Sequence, residues 1–139
     1  MNPQSELIVT LPGQRRVDVK IGAHVVHTDQ PLSNGGEDTA PSPFDVFLAS
    51  LGACAGIFIQ GFCAKRDIAF DQVRLTERPA FGADGVLASV DFEIEVGPTF
   101  PEKYHGALVR VVEQCSVKRA IDAHPVFRTT LVVRPSSAI

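Results

Sequence analysis

One uncharged segment limits what this chain can fold into more than any other feature. Residues 46–64 (VFLASLGACAGIFIQGFCA) contain no charged side chain, and as an α-helix they would be long enough to span a bilayer. Three glycines and two cysteines interrupt the run, however, and Asp45 and Lys65 flank it closely. We therefore predict a helix buried in protein and no membrane span. Because such a helix needs cover on every side, we expect a partner subunit to supply part of it.

The composition indicates one globular domain over residues 1–139. Hydrophobic residues make up 45% of the chain and charged residues 21%, which is ordinary for a folded domain. The 13 basic and 16 acidic side chains give a net charge of −3, so the chain lacks the basic excess that nucleic-acid binding needs. The first residues show no basic cluster followed by an apolar run, so we expect no signal peptide and a cytoplasmic protein.

Alternation of apolar and polar residues, typical of β-strands, occurs on both sides of the uncharged segment. Before the uncharged segment, the patterns predict short strands over Glu6–Thr28, with a turn at Pro12-Gly13, and then a loop over Asp29–Pro43. After it, they predict a hairpin of Phe70–Arg78 and Val86–Val96 around residues 82–85. A helix over residues 102–122 after Pro101, a last strand over Val126–Val133 and a short polar tail complete the chain. The chain is thus expected to combine strands with two helices.

The three cysteines are candidate reactive residues, but their spacing alone assigns them no role. Cys54 lies among small residues that would let a substrate approach its sulfur, although a cysteine in an apolar helix is most often a core residue. Cys63 falls on the opposite helix face and is assigned to the core. Cys115 falls on the apolar stripe of the second helix, before Lys118 and Arg119, whose charges either match the helix dipole or favour a thiolate. Neither Cys54 nor Cys115 is predicted at a helix N-terminus.

Metal-ligand spacings are absent from the sequence. There is no Cys-x-x-Cys and no His-Glu-x-x-His, and the four histidines are scattered among different predicted elements. His24 and His27 would point to opposite faces of a strand, which favours two half-exposed polar side chains over a ligand pair. We expect neither a metal nor a cofactor.

Two motifs resemble those of a known family. The run from Asp29 to Cys54 (DQPLSNGGEDTAPSPFDVFLASLGAC) is similar to the proline-rich entry and first cysteine helix of the OsmC/Ohr family of peroxide-reducing proteins, and residues 114–117 (QCSV) are similar to its second cysteine motif. The order of elements also agrees with that family. The resemblance implies an α+β, OsmC-like fold in which antiparallel β-sheets wrap around a long buried central helix, in an intertwined homodimer.

The resemblance also implies a redox site and its partners. In peroxide-reducing members the first cysteine attacks the peroxide O–O bond as a thiolate, and the second resolves the resulting sulfenic acid as a disulfide. By position, Cys54 would be the peroxidatic cysteine and Cys115 the resolving one, with the two sulfurs meeting near the subunit interface. A hydroperoxide would be the substrate, and an external dithiol would regenerate the pair.

One position departs from the organic hydroperoxide resistance branch of that family. There, a glutamate ten residues before the first cysteine pairs with an arginine that polarises the thiolate; here that position is Phe44, and the acid follows at Asp45. Asp45 either replaces the glutamate or is a first-turn residue that favours the helix dipole. Arg16, or its neighbour Arg15, is the candidate arginine, and the alternative for each is an exposed charge.

Three functions are compatible with these residues. The first is a thiol-dependent peroxidase that reduces organic or other hydroperoxides through Cys54 and Cys115. The second is a non-catalytic binding protein that uses an apolar cavity at the dimer interface. The third is a structural dimer in which both cysteines are inert core residues.

Overall fold

The chain folds into two antiparallel sheets and three helices within the residues that a computed structural model describes, 6–133 and 135. In chain order the elements are β1 (Leu7–Gly13), β2 (Arg16–Ile21), β3 (His24–Thr28), α1 (Pro43–Ala64), β4 (Val73–Phe81), β5 (Leu87–Val96), α2 (His105–Val112) and α3 (Ser116–Asp122), with short 3-10 turns at Leu32–Asn34, Phe70–Gln72 and Glu102–Tyr104. One sheet has the strand order β1-β2-β3 and the other is the hairpin β4–β5. The predicted α+β class with antiparallel strands is confirmed.

Helix α1 begins at Pro43 rather than at the predicted Val46 because a capping box fixes its first turn. The Ser42 hydroxyl accepts a hydrogen bond from the backbone N–H of Asp45, and the Asp45 carboxylate accepts one from the backbone N–H of Ser42. Pro43 stands in the first turn, where its missing N–H removes no helical hydrogen bond. The start of α1 is therefore fixed by its own sequence.

Helix α1 packs on the rest of the chain with one face only. Ile57, on the opposite face, is 68% exposed. The helix is long and apolar enough to cross a membrane by length and composition, a property that core helices of soluble proteins share, and 28% of its most apolar 18-residue window is buried. Its buried residues are Leu51, Ala55, Ile59, Phe62 and Cys63. The cover that its composition requires is thus incomplete within the described residues.

The hairpin β4–β5 supplies the opposite wall of the core. In its register Leu75 lies opposite Ile94, and Glu77 lies opposite Phe92. Because side chains alternate between the two faces of a strand, Glu77 points toward the same side as Leu75. The apolar residues that line the core below α1 are Val73, Leu75, Phe92, Ile94, Val96, Leu108 and Val112.

The loop before α1 is ordered by Asp29. The buried carboxylate accepts hydrogen bonds from the backbone N–H groups of Gln30, Glu37 and Thr39 and from the Thr39 hydroxyl. These bonds, led by that of the Thr39 hydroxyl, outweigh burial and lower the pKa of Asp29 to about 2. The Asp29 N–H also donates to the carbonyl of Pro41, so the loop closes just before α1.

The prediction of one continuous helix over residues 102–122 is wrong. Helix α2 ends at Val112, and after a short turn Cys115 has a non-helical backbone (φ −51°, ψ 122°) as the N-cap residue of α3. Apolar spacing continues across the break, which is why the sequence favoured a single helix. The break places Cys115 directly at a helix N-terminus, contrary to the prediction.

The prediction of a strand over Val126–Val133 is also wrong for the single chain. Residues 124–133 form no strand in the described part of the molecule. Their apolar side chains lie open to solvent, and Phe127 and Leu131 are each 90% exposed. A strand needs a neighbour to pair with its backbone groups, and the two sheets of the described chain supply none here. The tail predicted after it lies outside the described residues, apart from Pro135.

Candidate functional site

Helices α1 and α3 bring two cysteines together. Cys54 lies in the middle of α1, and Cys115 is the N-cap residue of α3, which packs on α1. The Cys54 sulfur is 3.4 Å from the hydroxyl oxygen of Ser116, and the neighbouring Cys115 thiol helps to lower the pKa of Cys54. Both cysteines are free thiols. Cys54 and the segment that begins at Cys115 therefore lie next to each other within one chain.

The surroundings of Cys54 favour its thiolate. Burial raises the pKa of the Cys54 thiol, but hydrogen bonds from the side chains of Ser116 and Cys115 and from the backbone N–H groups of Val117 and Ser116 lower it further, to about 7. A large fraction of Cys54 is therefore ionised at neutral pH. Because a thiolate is the nucleophilic form of cysteine, this sulfur is suited to attack an electrophile.

Cys115 differs from Cys54 in both burial and ionisation. Its side chain is fully buried, and this burial raises the pKa of the Cys115 thiol; the neighbouring Cys54 raises it further, while the backbone N–H groups of Lys118 and Val117 lower it. One sulfur is thus poised as a thiolate and the other as a thiol. Two neighbouring thiols, one with a lowered and one with a raised pKa, can divide the roles of nucleophile and proton donor.

Cys63 lies in the core, as predicted from its position on the opposite helix face. It is fully buried within the apolar cluster below α1. Burial raises the pKa of the Cys63 thiol, and the charge of Arg66 lowers it only in part. Cys63 therefore has the environment of a structural cysteine.

Phe44, at the position where the organic hydroperoxide resistance branch has a glutamate, and its neighbour Asp45 lie in the first turn of α1. The Asp45 carboxylate accepts hydrogen bonds from the backbone N–H and the hydroxyl of Ser42. Phe44 packs its ring against those of Phe47 and Phe81, with centroid distances of 5.4 and 5.9 Å. In the described structure, no hydrogen bond joins Asp45 to either cysteine. A role for Asp45 in catalysis remains a prediction.

The two candidate arginines lie on the first sheet, at its β1–β2 turn. Arg16 is exposed and pairs with Gly13 in the strand register. The guanidinium of Arg15 lies beside Gly35 in the loop before α1, 3.7 Å from the place where a Cβ of Gly35 would stand. Among residues 6–133, no hydrogen bond or ion pair joins Arg15 or Arg16 to Cys54. Their proposed action on the thiolate also remains a prediction.

The histidines show no arrangement for metal binding. His27 lies 2.9 Å from the carboxylate of Asp18 through its Nδ1, on an exposed part of the first sheet. Among the described residues, no group of three His, Cys, Asp or Glu side chains could hold a metal ion.

Glu77, near the thiol site, is a half-buried carboxyl group that the sequence prediction missed. Its Oε1 is buried and has no hydrogen-bond partner among the described residues. Burial raises the pKa of the Glu77 carboxyl, while the backbone N–H of Gly52 and the charge of Lys118 lower it in part. The signal was present in the sequence, because Glu77 continues the inward-facing series of Val73 and Leu75, where an apolar residue is expected.

The fold and the site together define an α+β protein with a two-thiol centre, in which a long helix carries the more acidic thiol. A sequence profile described as OsmC-like protein matches residues 35–130, more than half of the chain. The chain therefore belongs to the OsmC-like protein family, and the predicted resemblance is confirmed.

Solved structures of this family share the fold. A protein of Psychrobacter arcticus 273-4, described as an osmotic stress induced and detoxification response protein, is 20% identical, with a TM-score of 0.72 over 86% of this chain and 90% of that one. An organic hydroperoxide resistance protein OsmC of Legionella pneumophila is 22% identical, with a TM-score of 0.59 over 86% and 91%. An OsmC-like protein of Mycoplasma pneumoniae is 13% identical, with a TM-score of 0.68 over 88% and 89%. No curated protein sequence matches the chain. At these identities the likeness concerns the fold alone.

Proposed function

We propose that this protein is a thiol-dependent peroxidase that reduces organic or other hydroperoxides, with Cys54 as the attacking and Cys115 as the resolving cysteine. The observation that carries the proposal is the hydrogen-bonded Cys54 sulfur, whose pKa is lowered to about 7 beside a second, protonated thiol. An inert core cysteine would instead have a raised pKa, as Cys63 has. Neighbours of similar fold that carry the name organic hydroperoxide resistance protein support the same class of substrate.

The two thiols can divide the reaction between them. The Cys54 thiolate attacks the outer oxygen of the hydroperoxide, the O–O bond breaks, and the leaving alkoxide takes the proton of Cys115 to become an alcohol. The Cys115 thiolate so formed attacks the sulfur of the Cys54 sulfenic acid, and hydroxide leaves as water after protonation. The product is a Cys54–Cys115 disulfide. An external dithiol reduces the disulfide by thiol exchange and restores both thiols.

The proposal includes an intertwined homodimer in which the sheets of two chains enclose both α1 helices. Three apolar surfaces support it, each exposed in the single chain. They are the outer face of α1 with Ile57, the strand β1 with Leu7, Ile8, Val9 and Leu11, and the segment 126–133 with Phe127 and Leu131. Apolar surface of this extent on a chain of this size is typical of an obligate interface. We place the enzyme in the cytoplasm, where the reducing conditions keep its three thiols free.

Peroxide consumption by the reduced protein tests this function. With a dithiol reductant and an organic hydroperoxide, wild type should turn over, and Cys54→Ser should lose activity by several orders of magnitude because the nucleophile is gone. Cys63→Ala is the matched control, since it removes a cysteine of the same helix that faces the core, and it should retain turnover. Turnover that persists in Cys54→Ser would refute the proposal.

The mass of the protein after one equivalent of peroxide assigns the two roles. Wild type should lose two hydrogens as the disulfide forms, whereas Cys115→Ser should gain one or more oxygens because its sulfenic acid is not resolved. A disulfide that forms in Cys115→Ser through Cys63 would show that the pairing is wrong.

A further inference from the structure

Two cavities meet along the loop that precedes α1. One has a volume of about 630 Å³ and lies at the β1–β2 turn, and the other has a volume of about 510 Å³ and lies at the first turn of α1. Gln30 and Asn34 line both cavities. The two cavities therefore form one continuous groove, which we call the loop groove, and each half has the size of a small-molecule site.

The half of the loop groove at the β1–β2 turn is cationic. Arg15 and Arg16 line it, and no acidic side chain of the described residues does. The Arg15 side chain reaches across to the loop, because its Nε lies 3.7 Å from the place where a Cβ of Gly35 would stand. Among the described residues, no ion pair joins either arginine to a carboxylate. Two guanidinium groups without an acidic partner favour an anion at this end of the groove.

The amide side chains of Gln30 and Asn34, in the middle of the groove, are available to a ligand. Within residues 6–133, neither side chain forms a hydrogen bond, although the backbone N–H of each residue does. The loop that carries them is held in place by the hydrogen bonds of Asp29. The groove is therefore formed before a ligand arrives, so binding orders little of the chain.

The half of the loop groove at α1 is uncharged and mainly apolar. Phe44 and Phe47 line it together with Pro31, Pro43 and Ser42, and the centroids of the two rings lie 5.4 Å apart. Phe47 also lines a further cavity, of about 420 Å³, between α1 and β5. Aromatic rings offer a large apolar surface to a ligand. The loop groove thus joins a cationic end to an aromatic end.

We propose that the loop groove binds a carboxylic acid with an apolar body, with the carboxylate at Arg15 and Arg16 and the body along Phe44 and Phe47. A guanidinium group matches the two oxygens of a carboxylate, and an apolar body gains from burial against the rings. A ligand with only one of these features would leave half of the groove unfilled. The inference goes beyond the proposed peroxidase activity and does not depend on the chemistry of Cys54.

Isothermal titration of the reduced full-length protein with octanoate, 1-octanol and acetate tests the site. Octanoate and 1-octanol share the apolar body, and octanoate and acetate share the carboxylate. Octanoate should bind at least about tenfold more tightly than 1-octanol, because its carboxylate accepts charged hydrogen bonds from guanidinium groups. Acetate should bind at least about 100-fold more weakly than octanoate, since each buried methylene contributes up to roughly fourfold.

Two kinds of variant separate the ends of the groove. The double variant Arg15→Gln and Arg16→Gln should bind octanoate no more tightly than 1-octanol, with its affinity for 1-octanol unchanged. Arg74→Gln with Arg78→Gln is the matched control, because it removes two exposed positive charges from the β4–β5 hairpin, and it should keep the wild-type preference. Phe44→Ala should weaken octanoate and 1-octanol alike and leave their ratio unchanged.

A single variant guards against a loosened loop. Arg16→Gln leaves the approach of Arg15 to Gly35 in place, and it should still reduce the preference for octanoate at least about threefold. Equal affinity of wild type for octanoate and 1-octanol, or a preference that survives in the double variant, would overturn the inference. So would a double variant that keeps the preference but loses the sedimenting mass of wild type, since the groove would then hold a second copy of the chain. Cys54→Ser should bind octanoate as wild type does, so this titration decides the site even where the peroxidase proposal fails.

Discussion

Two effects of opposite sign compete at the Cys54 sulfur. Burial disfavours the charged thiolate, and the hydrogen bond from Ser116 is the largest effect that opposes it. The Cys115 thiol and two backbone N–H groups add to that effect, and their sum exceeds the cost of burial. A cation near the sulfur, one of the two roles that the sequence left open for Lys118 and Arg119, is not needed for this outcome, because hydrogen-bond donors at the start of α3 stabilise the thiolate directly.

Replacement of Ser116 by alanine should therefore raise the pKa of Cys54. A hydrogen bond to a charged group contributes about 1.5–3 kcal/mol, and one pKa unit corresponds to about 1.4 kcal/mol, so we expect a rise of about one unit. The thiolate present at pH 7 would become the minor form, and both alkylation and peroxide reduction should slow about five- to tenfold there. The difference should vanish above pH 9, where both proteins are ionised.

Ser50→Ala provides the control for Ser116→Ala. It removes a hydroxyl group from α1 one turn before Cys54, but that hydroxyl donates to the carbonyl of Phe47 and not to a sulfur. The midpoint of Cys54 alkylation should stay near 7 in this variant. An equal shift in both variants would mean that the hydrogen bond from Ser116 does not set the ionisation of Cys54.

The helices show where the sequence was informative and where it was not. The uncharged run predicted α1 because its length and composition are local properties. The predicted start, Val46, lies one turn after the observed start, Pro43, which follows the N-cap residue Ser42. The break before Cys115 was missed because no glycine or proline marks it and the apolar spacing continues through it. The contact of Cys54 with Ser116 joins distant segments, so spacing could not reveal it; the family resemblance suggested the cysteine pair instead.

The first turn of α1 offers a test of the two roles predicted for Asp45. As a capping residue, Asp45 stabilises the helix through Ser42, so Asp45→Ala should lower the free energy of unfolding by about 1 kcal/mol in urea denaturation. The pKa of Cys54 should not change, since the hydrogen bonds of Asp45 go to Ser42. Asp91→Ala, an exposed acid on β5, should leave both quantities unaltered. A shift of the Cys54 midpoint in Asp45→Ala would instead give Asp45 the place of the glutamate missing at Phe44.

At the scale of the whole chain, the apolar surface exceeds what the described fold covers. The segment 126–133 has the alternation of a strand but no strand beside it, and α1 leaves the side of Ile57 exposed. The unpaired segment and the exposed side of α1 have the same explanation. A sequence pattern shows which residues require burial or pairing, but it does not show whether their partner lies in the same chain. The strand prediction therefore failed for the single chain at a place where the proposed second chain would lie.

Sedimentation of the Ile57→Glu variant tests the proposed dimer. Wild type should have twice the mass of one chain, and a charge buried against a second α1 should weaken association by at least about 2 kcal/mol, or roughly 30-fold in Kd. Val86→Glu places the same charge on an apolar residue that is 62% exposed at the β4–β5 turn, and it should remain dimeric.

Because the groups that act on Cys54 come from its own chain, dissociated Ile57→Glu should keep an alkylation midpoint near 7. A wild-type protein that sediments as one chain, or an Ile57→Glu variant that associates as tightly as Val86→Glu, would exclude the α1 face as the subunit interface.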